Sequence, residues 1–244
     1  MPATPPRSKP MNFLLVHGAW HGGWCWRDVA GRLRQAGHAA WTPTLTGLGE
    51  RAHLLDASTG LQTFADDICA VIECEELDEV VLVGHSFGGL VATLVADRMA
   101  ARLKQLVYLD ALIVPAGQSG MSILSPEVRR ERSRTIDAEG LRMAIPSPDR
   151  FGVTDPVQAA WLSRRLTPHP LKGYTDTLDL VHPVGNGLPC TYVAVTDPWY
   201  PPLAGVRDWA RRQPGWQWRE IAAGHDAMVT SPESLTQLLL DIAS

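Results

Sequence analysis

The sequence predicts an α/β domain in which about six parallel strands are flanked by helices and a helical cap is inserted late in the chain. Three observations carry that expectation. Short apolar runs alternate with apolar residues at helical spacing, the pattern of successive βαβ units. One run, Glu79-Val-Val-Leu-Val-Gly84, is unbroken, as strands covered on both faces are. Between Ile113 and Gly187 the alternation stops, and it resumes at Pro189. At 244 residues the chain suits one large domain.

The elements follow in order. Residues 1–11, rich in proline and polar side chains, read as a disordered lead. Asn12-Phe-Leu-Leu-Val-His17 reads as a strand, and Trp26, Val29 and Leu33 as the inner face of a helix that Gly37 ends. Ala39 to Leu45 is a second strand. Phe64, Ile68, Val71 and Ile72 line another helix, and the run at 79–84 is a third strand. Leu90, Val91, Leu94, Val95 and Met99 give the helix after it, and Leu103 to Leu112 a fourth strand. The cap, 113–187, holds helix-like pieces around Ser125 to Arg142 and Pro156 to Leu166. Pro189 to Asp197 and Trp216 to Ala222 are the last strands, separated by a helix over Gly205 to Arg212. Leu235, Leu238, Leu239 and Ile242 form the closing helix, with Ser231 as N-cap and Pro232 at its first position. The core is thus 12–112 with 188–244.

Composition narrows the function. The net charge of −4 lacks the basic excess of a nucleic-acid binder. No apolar run reaches the ~18 residues a membrane span needs, and the lead has no apolar signal region, so a cytoplasmic protein is expected. The four cysteines, Cys25, Cys69, Cys74 and Cys190, show no metal-ligand spacing and read as small buried hydrophobes. No metal and no cofactor are expected.

Gly84-His85-Ser86-Phe87-Gly88 matches G-x-S-x-G at a strand-to-helix junction. A tight turn there projects the serine hydroxyl, and the following helix N-terminus favours developing negative charge. The hydroxyl needs a base. Of eight histidines, His225 in Ala223-Gly224-His225-Asp226 follows the last strand, at the carboxyl edge of the sheet where reactive crevices form. His38, His53, His169 and His182 read as solvated loop or cap residues. The base needs an orienting carboxylate. Asp110 and Asp197 both end strands and both preserve the order Ser, Asp, His, so order alone does not decide. Asp197, 28 positions before His225, has room for one loop, helix and strand and is favoured; Asp110 reads as a strand-end hydrogen-bonding residue. A tetrahedral oxyanion needs preorganised N–H donors. Phe87, after the nucleophile, and Ala19, in His17-Gly18-Ala19-Trp20-His21-Gly22-Gly23-Trp24, are the expected pair.

Together these segments resemble the α/β-hydrolase superfamily, and more narrowly the branch of plant methylesterases, polyneuridine aldehyde esterase, hydroxynitrile lyases and related bacterial esterases. Leu14-Leu-Val-His-Gly-Ala-Trp-His-Gly-Gly-Trp-Cys-Trp26, Val80-Val-Leu-Val-Gly-His-Ser-Phe-Gly-Gly89 and Gly224-His-Asp-Ala-Met228 carry the likeness, which is weakest in the cap. The resemblance implies the α/β-hydrolase fold, a triad of Ser86, Asp197 and His225, and oxyanion donors at Ala19 and Phe87. It departs from the lyases. Those place lysine after the catalytic histidine and threonine in the oxyanion loop, where this chain has Asp226 and Gly18.

The expected activity is a metal-free serine carboxylesterase acting on small to medium, largely apolar esters, with the small-molecule ester as its only partner. Trp20 and Trp161 are candidate pocket linings. Arg129, Arg130, Arg132 and Arg134 read as a solvated helix face. The rivals are a C–C lyase on the same fold and a non-catalytic small-ligand receptor. Nothing in the sequence settles the oligomeric state, and a homodimer stays open.

Overall fold

The most apolar run of the chain becomes the middle of the sheet. In the computed structural model, which describes residues 9–244, the strands are β1 (Asn12–Val16), β2 (Ala39–Trp41), β3 (Val80–His85), β4 (Leu103–Leu109), β5 (Arg142–Met143), β6 (His169–Pro170), β7 (Cys190–Val195) and β8 (Gln217–Ile221). Six of them form one all-parallel sheet in the order β2-β1-β3-β4-β7-β8. Every residue of β3 and β7 is buried, which is why both read as continuous apolar runs. Edge strand β8 is mostly exposed.

The helices are α1 (Arg27–Gln35), α2 (Leu61–Cys74), α3 (Gly88–Met99), α4 (Pro126–Ser133), α5 (Pro156–Ser163), α6 (Leu171–Thr175), α7 (Ala204–Arg211), α8 (Ala227–Thr230) and α9 (Pro232–Ala243). Helix α3 is buried from Gly88 through Ala96, wedged between the sheet and its neighbours. It can sit so close because two positions lack a side chain. A Cβ on Gly84 would lie 2.7 Å from the Gly88 carbonyl oxygen, and one on Gly88 would lie 2.7 Å from that of His17.

Between β4 and β7 the chain leaves the sheet and forms α4, α5, α6 and the short antiparallel β5–β6 ribbon, a pairing the sequence pattern did not suggest. The helix expected over Ser125 to Arg142 stops at Ser133, and Arg142 belongs to β5. Ser125 caps α4 through its hydroxyl, 3.2 Å from the Val128 N–H, whereas Ser231 makes no side-chain cap on α9. Cys25 and Cys190 are buried, but Cys74 is exposed, so the small-hydrophobe reading fails there. The expected disordered lead falls, for residues 1–8, outside the described residues. Among the described residues no helix is long and apolar enough to cross a membrane.

Candidate active site

Strand β3 ends on His85, and the next residue, Ser86, takes φ of +51°. Left-handed backbone is costly for a side chain with a Cβ. It is held by three hydrogen bonds: the Ser86 N–H donates to the Leu109 carbonyl, and the Ser86 carbonyl accepts from Gly89 and Leu112. The turn thus lifts Oγ off the carboxyl end of the sheet and delivers the chain into α3.

His225, just beyond β8, reaches the serine: its Nε2 lies 2.8 Å from Ser86 Oγ. Its Nδ1 lies 2.6 Å from Oδ2 of Asp110. The carboxylate that the structure brings to His225 is therefore Asp110 and not the expected Asp197. Strands β3 and β4 are neighbours, with His85 opposite Leu109, so Ser86 and Asp110 leave adjacent strands side by side. Asp197 leaves β7, one strand further out, and its side chain is exposed in a polar turn. Asp110 is fully buried, also at positive φ, and its other oxygen, Oδ1, accepts from Arg207 Nε at 3.0 Å and from Nη2 at 2.5 Å. A buried carboxylate requires such compensation. Arg207 comes from α7 and was not anticipated. A signal for Asp110 did exist: it lies inside Leu106-Val-Tyr-Leu-Asp-Ala-Leu-Ile-Val114, where flanking apolar residues force burial and hence pairing.

The loop after β1 passes beside the nucleophile. A Cβ on Gly18 would lie 3.0 Å from Ser86 Cβ and 2.9 Å from His85 Nδ1, so no larger residue fits. The N–H groups of Ala19 and Phe87 have no hydrogen-bond partner among the described residues. A buried ion pair braces this loop. His21 donates from Nδ1 to the Ala19 carbonyl at 2.7 Å and from Nε2 to Asp226 Oδ2 at 2.9 Å. Burial alone would depress the His21 pKa. The Asp226 carboxylate, its hydrogen bond and that to Ala19 outweigh burial and raise it, so both ring nitrogens carry protons. Asp226 is fully buried, with Oδ2 on His21 and Oδ1 4.0 Å from His85 Nε2.

The other histidines divide. His85 donates from Nε2 to the His225 carbonyl at 2.9 Å, fixing the backbone of the base. Burial drives His17 down to about 3 and pushes His85 and His169 well below the usual value. His38 and His169 are buried, contrary to the solvated reading; His53 and His182 are exposed as expected.

A cleft of about 110 Å³ is lined by Trp20, Arg132, Phe151 and Tyr200 among others, and it adjoins His225 through Tyr200. Tyr200 stacks on His225 with ring centres 3.8 Å apart, an unanticipated wall for the base. Trp20 lines this cleft, but Trp161 does not. It packs edge-on against Trp24, with Arg27 and Arg165 over its ring. A larger cleft, about 660 Å³, lies at the opposite, amino-terminal ends of the strands and holds none of these residues.

Comparison with known proteins bears on this geometry. Residues 13–238 match the model of the alpha/beta hydrolase family. A carbendazim hydrolyzing esterase of Nocardioides sp. (strain SG-4G) is 42% identical over 239 residues, covering 93% of this chain and 98% of the relative. Methylesterase 10 of Arabidopsis thaliana is 28% identical over 256 residues, covering 96% and 92%. Among solved structures, an extracellular alpha/beta-hydrolase from a Paenibacillus species superposes with a TM-score of 0.84 at 23% identity, covering 96% of this chain and 99% of that one.

Proposed function

Because the chain belongs to the alpha/beta hydrolase family, we propose that it hydrolyses small-molecule carboxylic esters through an acyl-enzyme on Ser86. One observation carries this reading: the unbroken line from Ser86 Oγ through His225 to Asp110, at 2.8 and 2.6 Å. With Asp110 accepting the proton on Nδ1, the Nε2 lone pair faces the serine hydroxyl. Ser86 attacks the ester carbonyl as its proton passes to His225. The carbonyl oxygen becomes an oxyanion received by the Ala19 and Phe87 N–H groups. The imidazolium then protonates the departing alkoxide, and water, activated by the same histidine, releases the acid.

Residues 113–187 act as the cap. Phe151 lies over His225 at 6.5 Å between ring centres and also touches His21, so the cap closes the roof of the site. Hydrolysis is favoured over C–C cleavage by two residues. Gly18 leaves no room for a lyase-type threonine, and the position after His225 is an acid, Asp226, committed to His21 rather than a lysine.

The test is Ser86→Ala assayed on a chromogenic ester, with circular dichroism to verify folding. Loss of kcat on the order of 10⁴–10⁶-fold is expected. A folded variant keeping a tenth of the activity would refute the assignment of the nucleophile.

A further inference from the structure

Four arginines lie on α4 or at its end, and the structure separates them. Arg129, Arg130 and Arg134 are exposed. Arg132 turns inward. Its guanidinium carbon sits 4.4 Å from the Tyr174 ring centre and 5.4 Å from that of Trp20. The ring faces stabilise the cation, and beside them the Tyr174 hydroxyl is a neighbouring acceptor, which leaves most of the guanidinium's five N–H groups to be met elsewhere.

Its Nη1 is shut off from solvent and has no hydrogen-bond partner among the described residues. Among the described residues no carboxylate pairs with Arg132 either; its neighbour Glu131 is engaged by Arg150 at 3.1 Å. Arg132 as a whole is half-buried, but a charged N–H shut off from water without an acceptor is costly. The side chain also borders a cleft, and its other guanidinium nitrogens have no carboxylate or carbonyl partner among the described residues, so a bound molecule there can supply the acceptor. Arg132 lines the same cleft as Tyr200, which stacks on His225, so an acceptor bound in this cleft lies one ring away from the histidine beside Ser86.

We infer that Arg132 is the specificity-determining residue of this site and receives a carboxylate carried by the ester substrate. The inference rests on the esterase reading above. A guanidinium fork matches a carboxylate in geometry and charge, whereas a neutral carbonyl satisfies one donor and leaves the charge unbalanced. The cleft walls also favour an anion, since Arg132 and Arg150 face a single acid, Glu131. The substrate class is an apolar chain with an ester at one end and a carboxylate at the other. The aromatic walls cover the chain and Arg132 takes the acid end.

The experiment compares kcat/KM for monomethyl esters of straight-chain dicarboxylic acids with methyl alkanoates of equal length, followed by acid release. The proteins are the wild type, Arg132→Gln, Arg132→Lys and Arg129→Gln. At the best-matched length the wild type is expected to prefer the anionic ester by about ten- to a hundredfold, the range for a charge-assisted hydrogen bond. Arg132→Gln should abolish the preference and Arg132→Lys keep part of it. Arg129→Gln removes an equal charge from the same helix and should leave the preference unchanged. A ratio indifferent to residue 132 would overturn the inference, as would equal losses in Arg129→Gln. Calorimetric titration of monomethyl glutarate and monomethyl adipate into Ser86→Ala and into Ser86→Ala with Arg132→Gln reads the same contact without turnover. Failure of the esterase reading would leave binding dependent on Arg132. Failure of the present inference would leave turnover intact with binding blind to it.

Discussion

Exchanging Asp110 for asparagine should disable the enzyme while scarcely altering its shape, and Arg207 determines why. The guanidinium donates two N–H groups to Oδ1 of Asp110, at 3.0 and 2.5 Å. In Asp110→Asn only the amide oxygen can occupy that position, because two donors cannot face the arginine. The amide NH₂ must then point at Nδ1 of His225, 2.6 Å away in the wild type. Nδ1 can meet it only as an acceptor, which places the imidazole proton on Nε2. That nitrogen, 2.8 Å from Ser86 Oγ, becomes a donor and cannot take the serine proton. Locking the wrong tautomer in an otherwise intact triad costs about 10⁴ in kcat, equivalent to about 5.5 kcal/mol of barrier.

The control is Asp197→Asn, an exposed side chain with no hydrogen bond to the base, for which kcat should stay within about twofold. Both variants would be assayed on one ester, with active-site titration to correct for folded fraction. Asp110→Ala is the less informative change. It strands a buried guanidinium, and breaking such a pair costs about 3–5 kcal/mol of stability. If Asp197→Asn is the inactive protein, or if Asp110→Asn keeps more than a tenth of wild-type kcat, the triad drawn here is wrong.

Two further outcomes are expected. Gly18→Thr should lower ester kcat/KM by about 10²-fold or more, because its Cβ would crowd Ser86 Cβ at 3.0 Å, and it should not create cyanide release from mandelonitrile; cyanide release matching ester turnover, in the variant or the wild type, would move the protein among the lyases. Acid should unfold the protein early. His17, His85 and His169 have folded pKa values below the unfolded value near 6.5, so the unfolded chain binds the extra protons and stability falls as pH drops below that value. His21, whose pKa is raised, gains contribution as pH falls from 7.5 to about 6.5 and offsets part of the loss there, but below that value it is protonated in both states and no longer opposes it. The three histidines together should remove about 4 kcal/mol by pH 5.5, read as a fall in the urea midpoint, and a flat midpoint from pH 7.5 to 5.5 would refute this.

How much was legible follows from what each signal measures. The parallel sheet and the meeting of Ser86, His225 and the loop after β1 at its carboxyl end were legible because each is announced locally, by an apolar run or by small residues beside a polar one. Gly84, Gly88 and Gly18 are glycines because backbone or a catalytic side chain occupies the space where a Cβ would go. The acid was not announced that way. Asp110 and Asp197 share chain order and strand-end position, and spacing to His225 measures chain length, not which strands are neighbours. The same blindness hid Arg207, Tyr200 and the inward turn of Arg132, and it put Trp161 in the pocket. A tryptophan's size is visible in sequence, but the face it covers is not.

The two candidate acids also show how the site is divided between strands. With Asp110 on β4, the triad's charge sits in the fully buried middle of the sheet, where a lone carboxylate is untenable. Arg207 on α7 supplies the counter-charge, and it does so between β7 and β8, the region from which an acid on β7 would have come. The β7 side therefore contributes a cation to the acid's far oxygen and, through Tyr200, an aromatic face to the base, in place of the carboxylate itself. Each half is incomplete alone: Asp110 without Arg207 is an unpaired buried anion, and Arg207 without Asp110 an unpaired buried cation. An exchange at either position therefore alters stability as well as turnover, whereas Asp197, exposed in its turn, answers to neither.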